Sequence, residues 1–202
     1  AGARMKRVTM ELGGHAPVIV FDDADIERAA EMLATLKFRN AGQVCVAPTR
    51  FYIQRASYDR FVAKFVATTR NVKVGDGLLM DTTMGPLAHS RRVPVMERFV
   101  DDARRRGGSV ATGGERLGEQ GNFFAPTVLS HTPDDSLAMT EEPFGPIATC
   151  VPFETTDEVL RRANSLAYGL SAYAFTTGTR NALAIQDGLE VGMVNINHFG
   201  HG

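Results

Sequence analysis

The sequence has no tryptophan and only two cysteines, Cys45 and Cys150, among its 202 residues. Cysteines so far apart, with no His/Cys cluster near either, exclude a disulfide framework and a structural zinc site, and they suit the reducing cytoplasm. Long apolar runs are missing as well: no stretch approaches the roughly 20 residues that a membrane helix needs. Neither sign of charge dominates. With 22 basic and 23 acidic residues and a formal net charge of −1, there is no electrostatic basis for a nucleic-acid or anionic-membrane partner. The basic run Arg104-Arg105-Arg106 reads as the solvated end of a helix, where cations oppose the dipole. No secretory leader is visible, because Arg4, Lys6 and Arg7 lead into Glu11 and two glycines instead of an apolar core. Internal repeats and low-complexity segments are also absent.

What is present is 44% hydrophobic content, enough for one sizeable core or two small ones. Its patterning alternates between strand and helix. The run Ala16 to Phe21 reads as a buried strand, Asp22 to Asp25 as capping candidates, and Ile26, Ala29, Ala30, Leu33 and Leu36 as the apolar face of a first helix stopped at Gly42. Arg50 to Gln54 reads as a strand, followed by a helix capped by Ser57 with Tyr58, Phe61, Val62, Phe65 and Val66 on its face. Val74 to Leu87 is Gly-, Asp- and Thr-rich and carries Pro86, so an irregular connection is expected there. A third helix is expected from Ser90 to about Arg106, closed by Gly107-Gly108, with Pro94 tolerated near its first turn.

Beyond it, Ser109 to Thr112, Ala125 to Leu129 and Ile147 to Phe153 read as strands, the middle one placed at an edge by Pro126. Thr155 and Glu158 form a capping box for a helix to about Asn164. A strand over Leu170 to Phe175, a helix over Arg180 to Asp187 closed by Gly188, and a strand over Gly192 to Asn197 complete the pattern. Such alternation predicts an α/β fold, a mainly parallel sheet with helices on both faces.

The chemistry gathers in three short segments. Cys45 ends the run Asn40-Ala41-Gly42-Gln43-Val44-Cys45, just past the first helix, where a side chain can face a cleft. An unpaired cysteine is more often a small buried hydrophobe, the role expected of Cys150 in Ala148-Thr149-Cys150-Val151. Upstream lies Glu11-Leu12-Gly13-Gly14, an acid before glycines that let backbone approach closely. A thiolate attacks carbonyl carbon and a nearby carboxylate can activate water, so the pair points to covalent acyl chemistry. The third segment is Glu141-Glu142-Pro143-Phe144-Gly145-Pro146.

In this order, the three segments resemble the active-site signatures of the aldehyde dehydrogenase superfamily, and the resemblance covers nearly all of the chain. It implies the catalytic-domain fold of that family and NAD or NADP as cofactor. Cys45 is then the nucleophile that forms a thiohemiacetal and a thioester, and Glu11 the base that activates the hydrolytic water. Glu142 is implied to bind the nicotinamide-side ribose, with Phe144 packed beside it. Otherwise Glu142 is a solvated acid and Phe144 a core residue. The coenzyme A-dependent branch lacks a glutamate at the position of Glu11, so a free carboxylic acid is the implied product. The Cys45 backbone N–H can donate to the oxyanion, whereas the family's second donor is an asparagine that this chain does not contain.

Arg39, in Lys37-Phe38-Arg39-Asn40, resembles the arginine with which succinate-semialdehyde dehydrogenases hold the distal carboxylate of their substrate. A planar guanidinium suits a carboxylate, although an arginine at a helix end is also favourable on its own. Where that subfamily often has a second cysteine after the nucleophile, this chain has Ala47 and Pro48, so glutarate semialdehyde stays open as substrate. His15 is expected to be a structural or surface residue, without a catalytic role. A broad-specificity aldehyde dehydrogenase, a non-catalytic member of the family and a cysteine hydrolase are the competing readings, the last without a recognisable histidine partner.

No metal site is expected. The chain starts without Met and stops at His201-Gly202 in what reads as a loop, so a fragment that lacks sequence at both ends, the C-terminal end included, is expected. No Gly-x-Gly-x-x-Gly run joins a strand to a helix, so residues 1–202 are expected to be a catalytic domain whose dinucleotide-binding half lies upstream. A dimer or tetramer of the full-length protein is the implied assembly.

Overall fold

The computed structural model describes residues 2–198, so the loop expected at His201-Gly202 lies outside the described residues. Its strands are β1 (Ala16–Val20), β2 (Pro48–Gln54), β3 (Ser109–Thr112), β4 (Thr127–Ser130), β5 (Ile147–Phe153), β6 (Ser171–Phe175) and β7 (Met193–Ile196). The helices are α1 (Ile26–Phe38), α2 (Tyr58–Thr69), α3 (Arg92–Arg105), the single turn α4 (Leu137–Thr140), α5 (Thr156–Ala163) and α6 (Thr179–Gly188). All strands join one sheet in the order β3-β4-β5-β2-β1-β6-β7. Only the β3–β4 pair is antiparallel.

Period-2 alternation sends the strand residues to two cores. Val18, Val20, Phe51, Ile53, Tyr173 and Phe175 pack with α1, α2 and α3 on one face. Ile19, Phe21, Tyr52, Val151, Phe153 and Ala172 pack with α5 and α6 on the other. Coverage on both sides explains why every residue of β1, β4 and β6 is buried.

The expected elements form, with five local differences. The strand after Pro126 is interior, between β3 and β5, because the proline precedes its first residue Thr127 and removes no ladder hydrogen bond. Ser57 makes no side-chain cap; it closes a 3₁₀ turn, Arg55–Ser57, that leads into α2. At α5, Thr155 Oγ1 accepts from the Glu158 N–H at 3.2 Å, but Glu158 Oε2 reaches back to the Glu154 N–H at 2.9 Å, one residue earlier than a regular capping box. Gly188 is the last residue of α6 rather than the residue beyond it, and the turn α4 carried no sequence signal. Asp25 does cap α1, accepting from the Arg28 N–H at 3.2 Å.

Candidate active site

Helix α1 ends at Phe38, and the chain then makes a sharp reversal. Asn40, Ala41 and Gly42 all have positive φ, of 51°, 53° and 70°, a conformation that costs energy at the first two, which carry a Cβ. Local hydrogen bonds hold the turn: Asn40 Nδ2 donates to the Gln43 carbonyl at 3.0 Å, and Gln43 Nε2 returns to the Asn40 carbonyl at 3.1 Å. From β6, the Tyr173 hydroxyl donates to the Val46 carbonyl at 2.7 Å. Cys45 is thereby presented half-buried, as a free thiol, in the turn before β2. Its backbone N–H has no acceptor among the described residues.

Glycine lets the three segments touch. A Cβ on Gly14 would overlap the Cys45 carbonyl oxygen, and one on Gly42 would overlap the Gly145 carbonyl oxygen. One on Gly13 would stand 2.5 Å from Glu142 Oε2. Glu142 Oε1 accepts from the Gly14 N–H at 2.9 Å. The third segment is seated on α3: Arg92 Nη2 donates to the Pro143 carbonyl, Arg98 pairs with Glu141 at 3.3 Å, and Met96 lies beneath Gly145. Phe144, at φ 41°, stays 37% exposed. Residues 13–14, 42–45 and 142–145, far apart in sequence, therefore meet at the amino ends of β1, β2 and β5.

Glu11 lies in the exposed stretch ahead of β1 and makes no hydrogen bond or ion pair among the described residues, which leaves its carboxylate unspent. Arg39 is exposed and likewise unpaired among the described residues. With Asn40, Leu36, Phe38 and Val72 it lines a recess of about 450 Å³ whose walls do not include Cys45. The structure thus brings Cys45, Gly14 and Glu142 together and leaves Glu11 and Arg39 at the margins.

Two buried basic groups nearby were missed at the sequence level. Lys37, not Leu36, continues the buried stripe of α1 after Leu33 and Ala34, and the helical spacing contained that signal. Its Nζ has no hydrogen-bond partner among the described residues, and burial pushes the amine down to about 7 against the opposing pull of Glu142. Arg50 donates to the carbonyls of His15 at 2.9 Å and Ala163 at 2.9 Å. Of the two places expected for His15, structural or surface, the fold takes the first: it is buried, with Nδ1 against Thr49 Oγ1 at 2.8 Å. Burial, then the charges of Arg50 and Lys37, push its imidazole well below the usual value, so it is neutral. Cys150 is fully buried on β5. Among the described residues no group of three or more His, Cys, Asp or Glu could hold a metal ion, and no helix is long and apolar enough to cross a membrane.

All 202 residues match the sequence profile of the aldehyde dehydrogenase family. The chain belongs to that family. It is 43% identical over 198 residues to the mitochondrial succinate-semialdehyde dehydrogenase of Rattus norvegicus, covering 98% of this chain and 38% of that protein. To the 4-(hydroxymethyl)benzenesulfonate dehydrogenase of Comamonas testosteroni it is 46% identical over 200 residues, 97% of this chain and 40% of the relative. The crystal structure of succinate-semialdehyde dehydrogenase from Burkholderia pseudomallei superposes with a TM-score of 0.96 at 39% identity, covering all of this chain and 42% of that one. The chain therefore spans about 40% of the length of the aldehyde dehydrogenases it matches.

Proposed function

We propose that this chain is the catalytic domain of an NAD(P)-dependent, non-acylating aldehyde dehydrogenase that oxidises a carboxylate-bearing semialdehyde, succinate semialdehyde or a close relative, to the free acid. The observation that carries the reading is the meeting of Gly14, Cys45 and Glu142 at one end of the sheet. Cys45 Sγ adds to the aldehyde carbon, and the Cys45 N–H, without an acceptor in the described structure, donates to the oxygen that becomes negative. When bound, NAD(P) supplies the hydride acceptor. Once the hydride has left, Cys45 carries a thioester. Glu11 then takes a proton from water, the water oxygen attacks the thioester carbonyl, and the acid departs as the thiolate is restored.

The cofactor fits the residues present. The absence of a side chain at Gly13 lets the Glu142 carboxylate lie against this segment, where Oε2 can accept from ribose hydroxyls, and exposed Phe144 offers a flat apolar neighbour. The domain that binds the rest of the dinucleotide belongs, on this reading, to the upstream part of a homo-oligomeric cytoplasmic protein. Two free cysteines suit that compartment.

Arg39 is the substrate clamp in this proposal. Its guanidinium is unspent among the described residues, and both relatives carry a substrate name with an anionic group, succinate semialdehyde in one and a sulfonate in the other. Replacing Arg39 by Leu in the full-length protein should lower kcat/KM for succinate semialdehyde about 10- to 100-fold, the size of a lost charged hydrogen bond. Uncharged aldehydes of similar length should lose much less. Equal losses on both substrates would replace the clamp with a broad-specificity enzyme.

A further inference from the structure

Lys37 is 0% exposed, and its Nζ lies 3.2 Å from the place a Cβ on Gly42 would take, the same place that overlaps the Gly145 carbonyl oxygen. The amine therefore sits where the turn before Cys45 meets the loop after Glu142. The charged and titratable groups that act on it or through it are Glu142 in the loop before β5, which opposes loss of its proton, His15 just before β1, which feels its charge, and Arg92 of α3, which acts on the same Glu142. On its own chain segment, Arg39 is exposed and Cys45 is half-buried. A methionine has nearly the same length and would fill this space without burying an unpartnered polar atom. An amine retained at such a cost points to a use beyond packing.

We propose that Lys37 is a positioning residue that acts through Glu142: gain or loss of its proton changes how the carboxylate is held against the Gly14 N–H and how it is offered to a ligand. The proposal rests on the reading of Glu142 as a ribose contact. As an ammonium, Lys37 draws the carboxylate inward. As a neutral amine, it leaves the carboxylate to outside hydroxyls. Because burial brings the amine to about 7, the change falls near neutral pH, and His15, pushed well below its usual range, titrates elsewhere.

The Gly14 amide, bonded to Glu142 Oε1, is the reporter. In ¹H–¹⁵N NMR spectra of this chain, its shift should step with a midpoint near pH 7. The step should vanish in Lys37→Met, and in Glu142→Gln the Lys37 amine should titrate at lower pH than in the wild type. In the full-length protein, the Kd for NAD(P) should tighten about 3- to 10-fold from pH 6 to pH 8 and stay flat in Lys37→Met. A Gly14 step that persists in Lys37→Met overturns the proposal. So does a wild-type Gly14 amide with no step near pH 7, a result that needs no variant to fold. NAD(P) affinity unchanged in Glu142→Gln overturns the ribose reading instead, even where Gly14 titrates as expected.

Discussion

At neutral pH, Lys37 works against the fold that holds it. Its amine is lowered to about 7 in the folded chain, from 10.5 for an ordinary lysine. Between these values the unfolded chain holds a proton that the folded chain does not, so stability rises with pH across that window. Below about 7 both states are protonated, and the fold carries the full cost of a buried charge. Above 10.5 both are neutral and the cost is gone. Lys37→Met should therefore stabilise the chain at pH 7 by something on the order of 3 kcal/mol, with the gain shrinking as the pH is raised toward 10. Urea titrations of both proteins at pH 7 and pH 10 check the sign and the slope. The segments that hold Glu11, Cys45 and Glu142 stand out in the sequence because their motifs are specific, and the fold brings Gly14, Cys45 and Glu142 together, but Lys37 carries no such signal. Residue type alone extends the apolar face of α1 to Leu36, and nothing in it separates a lysine that snorkels from one that stays inside.

At the scale of elements, the order of strands and helices follows from periodicity, and each strand and each helix of two or more turns was legible. Interior or edge placement was not, since it depends on which strands pair: β4 follows a proline yet has neighbours on both sides. Arg50 is the clearest case of tertiary structure overriding residue type. From the middle of β2 it donates to the His15 carbonyl just before β1, and to the carbonyls of Arg162 at 3.2 Å and Ala163 at 2.9 Å in the last turn of α5. One guanidinium thus satisfies carbonyls from two elements and opposes the dipole at a helix C-terminus. Burial lowers its affinity for the proton, but a guanidinium stays charged. Arg50→Met leaves those buried carbonyls without a donor, and a destabilisation of about 2–4 kcal/mol is expected from thermal or chemical denaturation.

For the whole molecule, the telling feature is the side of the sheet on which the motifs gather. Segments 11–14, 42–45 and 142–145 all precede parallel strands, so they lie at the amino ends, opposite the carboxyl-end crevice where open α/β sheets commonly bind ligands. A site at the amino ends lies on the opposite edge from that crevice and is suited to closure by another domain. The 202-residue chain alone should accordingly bind NAD(P) weakly if at all, and calorimetry decides this: tight binding would place the dinucleotide site within the chain. The account stands or falls on the division of work between Cys45 and Glu11, and the most direct test is mass spectrometry of the full-length Glu11→Gln protein mixed with succinate semialdehyde and NAD(P). The expected result is one equivalent of reduced cofactor and a succinyl thioester on Cys45 that persists, with neither in the additional Cys45→Ala variant. Steady turnover by Glu11→Gln with no adduct on Cys45 would contradict it.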